Sequence, residues 1–351
     1  MPRTELCKIE LPWSVASPET VGGNSWAYFS AVCWYYGVQL YKTLNYSIGL
    51  IATSFEGSPI ESWSSQDALK QCGWIKEFLF ALPNSGLPLL STFPLYSCMW
   101  NSMIVPFLNM TIYGAIFYQG ETNAMNPKYF VLPYNCTFPA MINDWRAKWY
   151  ASTQNNTDPQ FPFGFVQLSA VNYSQSLHFA QLRWDQTAQK GYAPNAQLNN
   201  TFMAVTMDLG NPSSPYTSIH PTDKFNVGYR LALSGLSLVY DKKKYFTGPL
   251  VRKIERIAVK LGTLLEIKYE FVNETIEVRK HTGFEVLCDG TWTASRIVHY
   301  TITSVFLRAR CNPDKVRYAW SDYPCESLKC AVYSGGLPSP PFIMDGPFSL
   351  K

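Results

Sequence analysis

One of the four histidines in this chain has the setting of a general base. His220 lies in the segment "YTSIHPTDK" (216–224) and is followed by Pro221. Histidine is the side chain best suited to moving a proton near neutral pH. The proline restricts His220 to extended or turn geometry, which holds it away from the helix expected after it. The sequence therefore marks His220 as a candidate base, and the plainer interpretation is a loop histidine that caps that helix.

The segment "YQGETN" (118–123) gathers polar groups directly after an apolar run. It offers two amides, a backbone glycine and a carboxylate, namely Gln119, Asn123, Gly120 and Glu121. Fixed N–H donors of this kind stabilise negative charge that develops on an oxygen, and Glu121 could orient its neighbours by accepting hydrogen bonds. The alternative interpretation is an ordinary polar turn between a strand and a helix.

A glycine and two carboxylates complete the candidate set. Gly57, in "SFEGSPIESWSS" (54–65), has a backbone N–H that a ligand can approach closely, although a plain turn glycine explains it as well. Asp208 ends an apolar run, and Asp223 lies three residues after the histidine. Either carboxylate could orient the imidazole, or a nucleophile and base could work as a pair without a third group.

Four short apolar runs with β-branched or aromatic residues have the character of buried strands, and helix-like segments alternate with them. The runs are 48–54, 114–120, 163–169 and 202–208, and the helical segments are 26–44, 137–152, 181–192 and 224–240. This alternation predicts an α/β domain of three layers, with a parallel sheet covered by helices on both sides. Because functional groups gather at the carboxyl ends of such strands, the loops after the four runs should meet at one edge.

The pattern changes near residue 241. The segments 264–287 and 296–310 alternate apolar and polar residues with period two, which predicts strands. We therefore divide the chain into an irregular lead-in (1–20), an α/β domain (21–240) and a β-rich accessory region (241–351).

Sequons and cysteines indicate the secretory pathway. Seven asparagines begin an N-x-S/T triplet: Asn45, Asn109, Asn135, Asn155, Asn172, Asn199 and Asn273. The nine cysteines lack zinc-like C-x-x-C pairs and fit a disulfide-bearing protein, in which Cys325 and Cys330 could close a small loop. We expect a secreted or lysosomal protein. Because "MPRTELCKIELPW" has no apolar signal-peptide core, we also expect a longer precursor.

Composition argues against several classes of function. The net charge is only +4, and a solvated turn explains the one basic cluster, "YDKKKY" (240–245), so we expect no nucleic-acid partner. No convincing stretch of about 20 continuous apolar residues indicates a membrane span. The candidate residues form no metal-ligand pattern, and we expect neither a metal nor an organic cofactor. The oligomeric state stays open.

The ordered set of segments resembles the sialate O-acetylesterase family, within the SGNH-type hydrolases. The segments that carry the resemblance cover nearly the whole chain: "SAVCWYYGVQLY", "IGLIATSFEGSPIESWSS", "FYQGETN", "PYNCTFPAMINDWR", "FPFGFVQLS", "FMAVTMDLG", "SIHPTDK" and "VRYAWSDYPCE". The resemblance implies removal of O-acetyl groups from sialic acids or sialoglycans by a serine and a histidine. It implies that His220 is that histidine, that Gly57 is the glycine of the oxyanion hole, and that "QGETN" is a further motif of the family.

The chain departs from the family pattern in two places. The family's serine lies in a "GQSNM"-type motif after an apolar strand, and this motif is absent. Ser25 in "GGNSW" (22–26) is rejected as a substitute because no strand precedes it to fix a nucleophile turn. We therefore expect an SGNH-like domain that is incomplete at its N-terminus and carries no nucleophile. Many SGNH hydrolases have an Asp three residues before the histidine, where this chain has Thr217.

Other functions stay open at this point. The chain could be a catalytically inactive, truncated or glycan-binding homologue, with Trp63 and Trp184 against sugar rings, although both tryptophans are equally compatible with a core. A third interpretation is an extracellular adhesion module, and the alternation of strands and helices argues against it.

Overall fold

The computed structural model describes residues 5–6, 8–22, 29–74, 96–128, 130, 132–172, 176–259 and 262–351. Ser25 and Cys7 lie outside these ranges. The predicted lead-in is irregular and exposed through its described residues as far as Ala16, and a short helix follows. No helix in the described ranges combines the length and the apolar character that crossing a bilayer requires.

The α-helices are α1 (Pro18–Val21), α2 (Ala31–Leu44), α3 (Ile60–Trp63), α4 (Gln66–Gln71), α5 (Glu121–Met125), α6 (Tyr134–Ser152), α7 (His178–Asp185) and α8 (Lys224–Leu238). A π-helical turn (Trp100–Ile104) and a 3₁₀ turn (Val105–Phe107) precede the first strand. The strands are β1 (Ala115–Phe117), β2 (Phe163–Gln167), β3 (Thr201–Val205), β4 (Leu250–Ala258), β5 (Thr263–Glu270), β6 (Glu277–Val278), β7 (Phe284–Cys288), β8 (Thr291–Ser295), β9 (Ile297–Tyr300), β10 (Ser304–Ala309), β11 (Lys315–Tyr318), β12 (Val332–Ser334), β13 (Leu337–Pro338), β14 (Phe342–Asp345) and β15 (Ser349–Leu350).

Three parallel strands form the sheet that positions the site, in the order β1-β2-β3. Phe117 pairs with Phe165, and Gly164 pairs with Phe202. Every residue of β2 and β3 is buried, whereas β1 is half-buried. The strands predicted at 114–120, 163–169 and 202–208 are therefore confirmed.

The strand predicted at 48–54 is wrong. This segment has no regular secondary structure, and Ile51 within it is 38% exposed. A strand exists only where a neighbour completes its ladder of hydrogen bonds, and no described strand pairs with this segment. The apolar composition of 48–54 therefore favours a strand, but none of the described strands pairs with it.

Helices cover both faces of the sheet, as the alternation predicts. On one face α6 places Phe138 against Phe163 and Phe165, with ring centroids 6.1 and 5.2 Å apart. On the other face Val227 and Leu231 of α8 pack with residues of β2, β3 and α2. Aromatic packing on the first face and mixed aliphatic and aromatic packing on the second exclude water from both sides of the strands.

All four predicted helices have other bounds than predicted. Helix α6 begins at Tyr134 instead of 137, and α8 ends at Leu238 instead of 240. The described part of α2 begins at Ala31, where the hydroxyl of Ser30 accepts a hydrogen bond from the Cys33 N–H and caps the helix. Helix α7 covers His178–Asp185 instead of 181–192, because Ala188 and Gln189 have positive φ angles that end helical geometry.

The region after residue 241 is β-rich, as predicted. Its sheets have the strand orders β15-β4-β5-β10-β9, β14-β11-β7-β8 and β13-β12-β6. The proline-rich end of the chain belongs to these sheets, because β14 pairs with β11 and β15 pairs with β4.

Three disulfides cross-link the described chain: Cys72–Cys136, Cys288–Cys311 and Cys325–Cys330. The last confirms the small loop expected from the sequence. Cys33 and Cys98 are free and buried. Burial raises the pKa of Cys33 to about 12 and the pKa of Cys98 to about 11, so both stay protonated thiols with little reactivity.

A buried ion pair joins the α/β layers to the β-rich region. The carboxylate of Asp208 accepts hydrogen bonds from Arg230 of α8, at 2.5 Å (Nη1–Oδ1) and 2.9 Å (Nη2–Oδ2). The Tyr333 hydroxyl of β12 donates to the same carboxylate at 2.9 Å, and the Leu328 N–H donates to the Asp208 carbonyl. The loop after β3 is thereby held by a helix and by the accessory region.

Replacing Asp208 with alanine removes the counter-ion of Arg230, whose side chain is 5% exposed. A buried charge without its partner is strongly destabilising, so we expect the free energy of unfolding to fall by about 3–5 kcal/mol. Urea titration followed by tryptophan fluorescence measures this change. Glu326→Gln is the control, since its ion pair with Lys329 is exposed, and we expect no measurable change. Equal losses in both variants would contradict this role of Asp208.

Candidate active site

The loop between β3 and α8 fixes the backbone of His220. The His220 N–H donates to the Thr217 carbonyl at 3.1 Å, and the Ser214 hydroxyl donates to the His220 carbonyl at 2.6 Å. Thr217 has a φ of 70°, which is unusual for a β-branched residue and marks local strain. The His220 side chain is 33% exposed, so the imidazole is held by a tight loop and still reaches solvent.

Glu56 is the carboxylate beside the candidate base. Its Oε1 lies 3.4 Å from Nε2 of His220, which brings the 54–61 and 216–224 segments together. The Glu56 side chain is 69% exposed, so water screens this attraction and the contact adds little to stability. The contact places a carboxylate at one nitrogen of the ring. Glu56 was not predicted from the sequence, where its one signal was its position next to Gly57.

Gly57 presents a backbone donor in this region. Its φ is 72°, and a Cβ there would meet no atom within 4 Å, so the backbone angle and not space requires glycine. The residue is exposed, and within the described chain its N–H has no hydrogen-bond acceptor. A ligand oxygen can therefore accept from the Gly57 N–H, and its assignment to an oxyanion hole stays a prediction.

Behind this turn lies a buried hydrogen-bond network. Asn123 donates to Oε2 of Glu61 at 2.9 Å and accepts from the Ile60 N–H at 3.0 Å. The Gln119 amide donates to Oδ1 of Asn123 at 2.8 Å and to the Ser58 carbonyl at 3.0 Å. The segments 54–65 and 118–123, singled out separately in the sequence, are thus joined through buried polar atoms.

These bonds change the role expected for Gln119. Both of its amide hydrogens are used within the protein, and its Oε1 accepts from the Tyr134 hydroxyl at 3.0 Å. Gln119 therefore has no free N–H for a developing oxyanion in this arrangement. Gln119 and Asn123 hold the turn that carries Gly57. Their role in this arrangement is to position that turn.

Gly120 and Glu121 have different surroundings. Gly120 is buried with a φ of 141°, and a Cβ there would lie 2.4 Å from the Leu182 side chain, so close packing of α5 on α7 explains this glycine. Glu121 is half-buried, and burial raises its pKa while the charge of Lys224 opposes the rise. Lys224 also lies over the Tyr118 ring, 5.3 Å from its centroid, which brings the start of α8 beside this segment.

The expectation that Asp208 or Asp223 orients His220 is corrected. The Asp208 carboxylate binds Arg230 and Tyr333, as described above. Asp223 is the N-cap of α8, and its carboxylate accepts from the backbone N–H and the side-chain amide of Asn226 at 3.0 and 2.6 Å. Both carboxylates serve structural contacts that sequence spacing does not reveal.

The two tryptophans considered for sugar contacts are part of the packing. Trp63 is 5% exposed and donates to the Ser58 hydroxyl at 2.7 Å, and Trp184 packs edge-on against Trp320. Trp63 therefore cannot contact a glycan in this structure. Across the described ranges, no group of three or more His, Cys, Asp or Glu side chains has an arrangement suited to a metal ion.

Glu61 is the most perturbed acid of the region. It is 1% exposed, its Oε1 has no hydrogen-bond partner in the described chain, and burial raises its pKa to about 7. The hydrogen bond from Asn123 favours the charged form but does not offset the loss of hydration. Near neutral pH this carboxyl therefore exists as a mixture of charged and neutral forms.

Comparison with known proteins identifies the family. The profile of the sialate O-acetylesterase C-terminal domain matches residues 256–346. The sialate O-acetylesterase of Homo sapiens is 43% identical over 353 residues, which cover 97% of this chain and 65% of the human protein. That of Rattus norvegicus is 39% identical over 374 residues, which cover 96% of this chain and 68% of the rat protein. The chain belongs to the sialate O-acetylesterase family.

A solved structure extends the similarity to three dimensions. The crystal structure of a carbohydrate acetylesterase from Xanthomonas citri matches with a TM-score of 0.69 and 26% identity, over 90% of this chain and 65% of that chain. The similarity therefore includes both the parallel sheet and the β-rich region. The chain spans 65% of the length of its human relative in the sialate O-acetylesterase family.

The raised pKa of Glu61 predicts a pH-dependent stability. Its value moves from an ordinary 4.5 to about 7 in the folded protein, so the folded state binds the proton more tightly than the unfolded chain. The stability due to this proton is complete below about pH 4.5 and is lost as the pH rises through 7, by about 3 kcal/mol in total. The Glu61→Gln variant cannot ionise and should lack this loss.

Urea unfolding of both proteins at about pH 4.5 and about pH 8 measures the effect. The stability of Glu61→Gln relative to the unmodified protein should increase between these pH values. A difference that does not change with pH would contradict the shifted pKa, and titration of other groups cancels because both proteins share them.

Proposed function

We propose that this chain supplies the histidine base and an oxyanion-binding N–H to a sialate O-acetylesterase, which hydrolyses O-acetyl esters of sialic acids. One observation carries the proposal: the Glu56–His220 contact places the base next to a turn whose Gly57 N–H is exposed and unbonded within the described chain. The names of the curated relatives and the carbohydrate acetylesterase neighbour support the choice of ester and sugar.

The mechanism follows from these groups. A serine hydroxyl attacks the acetyl carbonyl carbon while His220 accepts the hydroxyl proton. The Gly57 N–H donates to the oxyanion of the tetrahedral intermediate, and Glu56 stabilises the imidazolium that has formed. Collapse of the intermediate transfers the proton to the sugar oxygen and leaves an acetyl-serine. Water, deprotonated by His220, then attacks this ester and releases acetate.

We further propose that the serine comes from a part of the full-length protein that these 351 residues do not contain. Two observations support this: the "GQSNM"-type motif is absent from the sequence, and the apolar segment 48–54 pairs with no strand in the described ranges. The half-buried strand β1 is consistent with a sheet that has a further neighbour. With that strand the domain becomes a complete SGNH-like hydrolase, whose parallel sheet lies between two helical layers.

We also propose that the protein acts in the secretory pathway or the lysosome. Six of the seven sequon asparagines are exposed, and the seventh, Asn135, is half-buried. The three disulfides fit an oxidising compartment.

Hydrolysis of an aryl acetate and of an O-acetylated sialoside by the full-length protein tests the role of His220. The His220→Ala variant loses the general base, so kcat/KM should fall by about 10² to 10⁴. His178→Ala is the matched control, because His178 is exposed at the start of α7, and its kcat/KM should not change. Full activity in His220→Ala would show that another group is the base.

The origin of the nucleophile has its own test. Residues 1–351 alone should not hydrolyse the aryl acetate, because the serine is missing, and the full-length protein should. Turnover by residues 1–351 that disappears in Ser25→Ala would identify Ser25 as the nucleophile and overturn the proposal of an external serine. A folded full-length protein without turnover would favour the inactive glycan-binding homologue.

A further inference from the structure

Three arginines line one depression on the β-rich region. The depression has a volume of about 610 Å³ and is lined by Arg296, Arg308, Arg310, Ser295, Val298, Ala294 and Gly262. All three arginine side chains belong to exposed residues. The depression lies on strands of the accessory sheets, outside the loops that carry His220 and Gly57.

The strand register explains why two of the arginines adjoin. Leu307 of β10 pairs with Ile297 of β9, so Arg308 and Arg296 are next to each other across these antiparallel strands. The register shifts between Phe306 and Leu307, and such irregularities change the direction of the side chains that follow. The Ser295 hydroxyl donates to the Arg308 carbonyl at 3.0 Å and fixes this junction.

The charges of these arginines are not compensated within the described chain. Among the described residues, none of the three guanidinium groups has a partner for a salt bridge or a side-chain hydrogen bond. Some arginines do pair with carboxylates: Arg230 with Asp208, and Arg317 with Glu285. Adjacent like charges on neighbouring strands are unfavourable, and an anion bound between them removes the repulsion. The depression therefore has the electrostatics of an anion site.

We propose that this arginine depression binds the carboxylate of a sialic acid residue, as a glycan site additional to the loops of His220. The planar guanidinium fork matches a carboxylate with two parallel hydrogen bonds. Val298, which is 53% exposed, offers an apolar contact for the methyl group of an N-acetyl substituent. A volume of about 610 Å³ accommodates one sugar residue. The choice of sialic acid among carboxylates rests on the proposed function.

Such a site would act by tethering. A glycan with several sialic acids can occupy the arginine depression with one residue and present another to His220. The second contact is then intramolecular and its effective concentration is raised. Substitutions in the depression should therefore raise KM for multiply sialylated glycans and leave hydrolysis of an aryl acetate unchanged.

Calorimetric titration of residues 1–351 with the methyl glycoside of N-acetylneuraminic acid tests the site directly. This ligand has no O-acetyl ester, so binding is measured whether or not the protein is an esterase. We expect binding to weaken at least about tenfold in Arg308→Gln/Arg310→Gln, because charge-assisted hydrogen bonds are lost. The methyl ester of the same sialoside lacks the charge. It should bind the unmodified protein as weakly as the acid binds the double variant.

Two further variants separate the site from general charge. Arg252→Gln is the matched control, since Arg252 is exposed on β4 and does not line the depression, and its affinity should not change. Arg308→Lys keeps the positive charge but loses the planar guanidinium fork, so it should still weaken binding severalfold. It also serves as the test if Arg308→Gln/Arg310→Gln does not fold. Circular dichroism verifies that each variant is folded.

The outcomes that overturn the proposal are distinct from failure of the esterase. Equal binding of the acid and its methyl ester, an equal loss in Arg252→Gln, or no sialoside binding at all would each reject the site. Tighter binding of a sulfated oligosaccharide than of the sialoside would show that the depression selects another anion. An inactive full-length protein that still binds the sialoside through these arginines would reject the esterase and retain the site.

Discussion

The carboxyl group of Glu61, buried beside Asn123, is the constraint on which the site geometry depends. Asn123 accepts from Gln119 and from the Ile60 N–H through its oxygen, and its amide nitrogen donates to Glu61. In a low-dielectric interior an unpaired member of this network is costly, so the bonds form together or not at all. The turn with Glu56 and Gly57 is therefore fixed to the end of β1 by buried polar atoms.

The candidate base, His220, is held by a second set of buried contacts. The His220 loop lies between β3 and α8, and both elements are joined by the buried pair of Asp208 and Arg230. Glu56 and His220 meet between these two sets of contacts at 3.4 Å, in a region that solvent reaches. Buried hydrogen bonds thus hold the loops of these solvent-exposed candidate groups, so the imidazole is both positioned and accessible.

The β-rich region is part of the same folded unit. Arg183 of α7, which is fully buried, donates to the carbonyl groups of Ser321 and Asp322 and also to those of Leu168 and Ser169. A buried guanidinium needs all of these acceptors to offset its lost hydration. The region that matches the C-terminal domain of the sialate O-acetylesterase family therefore supports the loops after β2 and β3, while its outer surface carries the arginine depression.

Local patterns in the sequence determined much of this protein. Alternating apolar runs and helices predicted β1, β2 and β3 and the layers around them, and period-two patterning predicted the strands after residue 241. Polar residues after these runs predicted that the 54–65, 118–123 and 216–224 segments would meet. The helices and strands depend on residues a few positions apart, which is the range over which periodicity carries information. The meeting of the three segments followed instead from the rule that the carboxyl ends of parallel strands share one edge.

Only the tertiary structure decided which side chains face each other. Asp208 binds an arginine 22 positions away and a tyrosine 125 positions away, so its structural role is invisible in sequence spacing. Segment 48–54 has the composition of a strand but pairs with none of the described strands. Glu56 became the neighbour of His220 through a contact between distant loops. Hydrogen-bond and charge partners are set by how the layers pack. A single sequence does not show which distant residues this packing brings together.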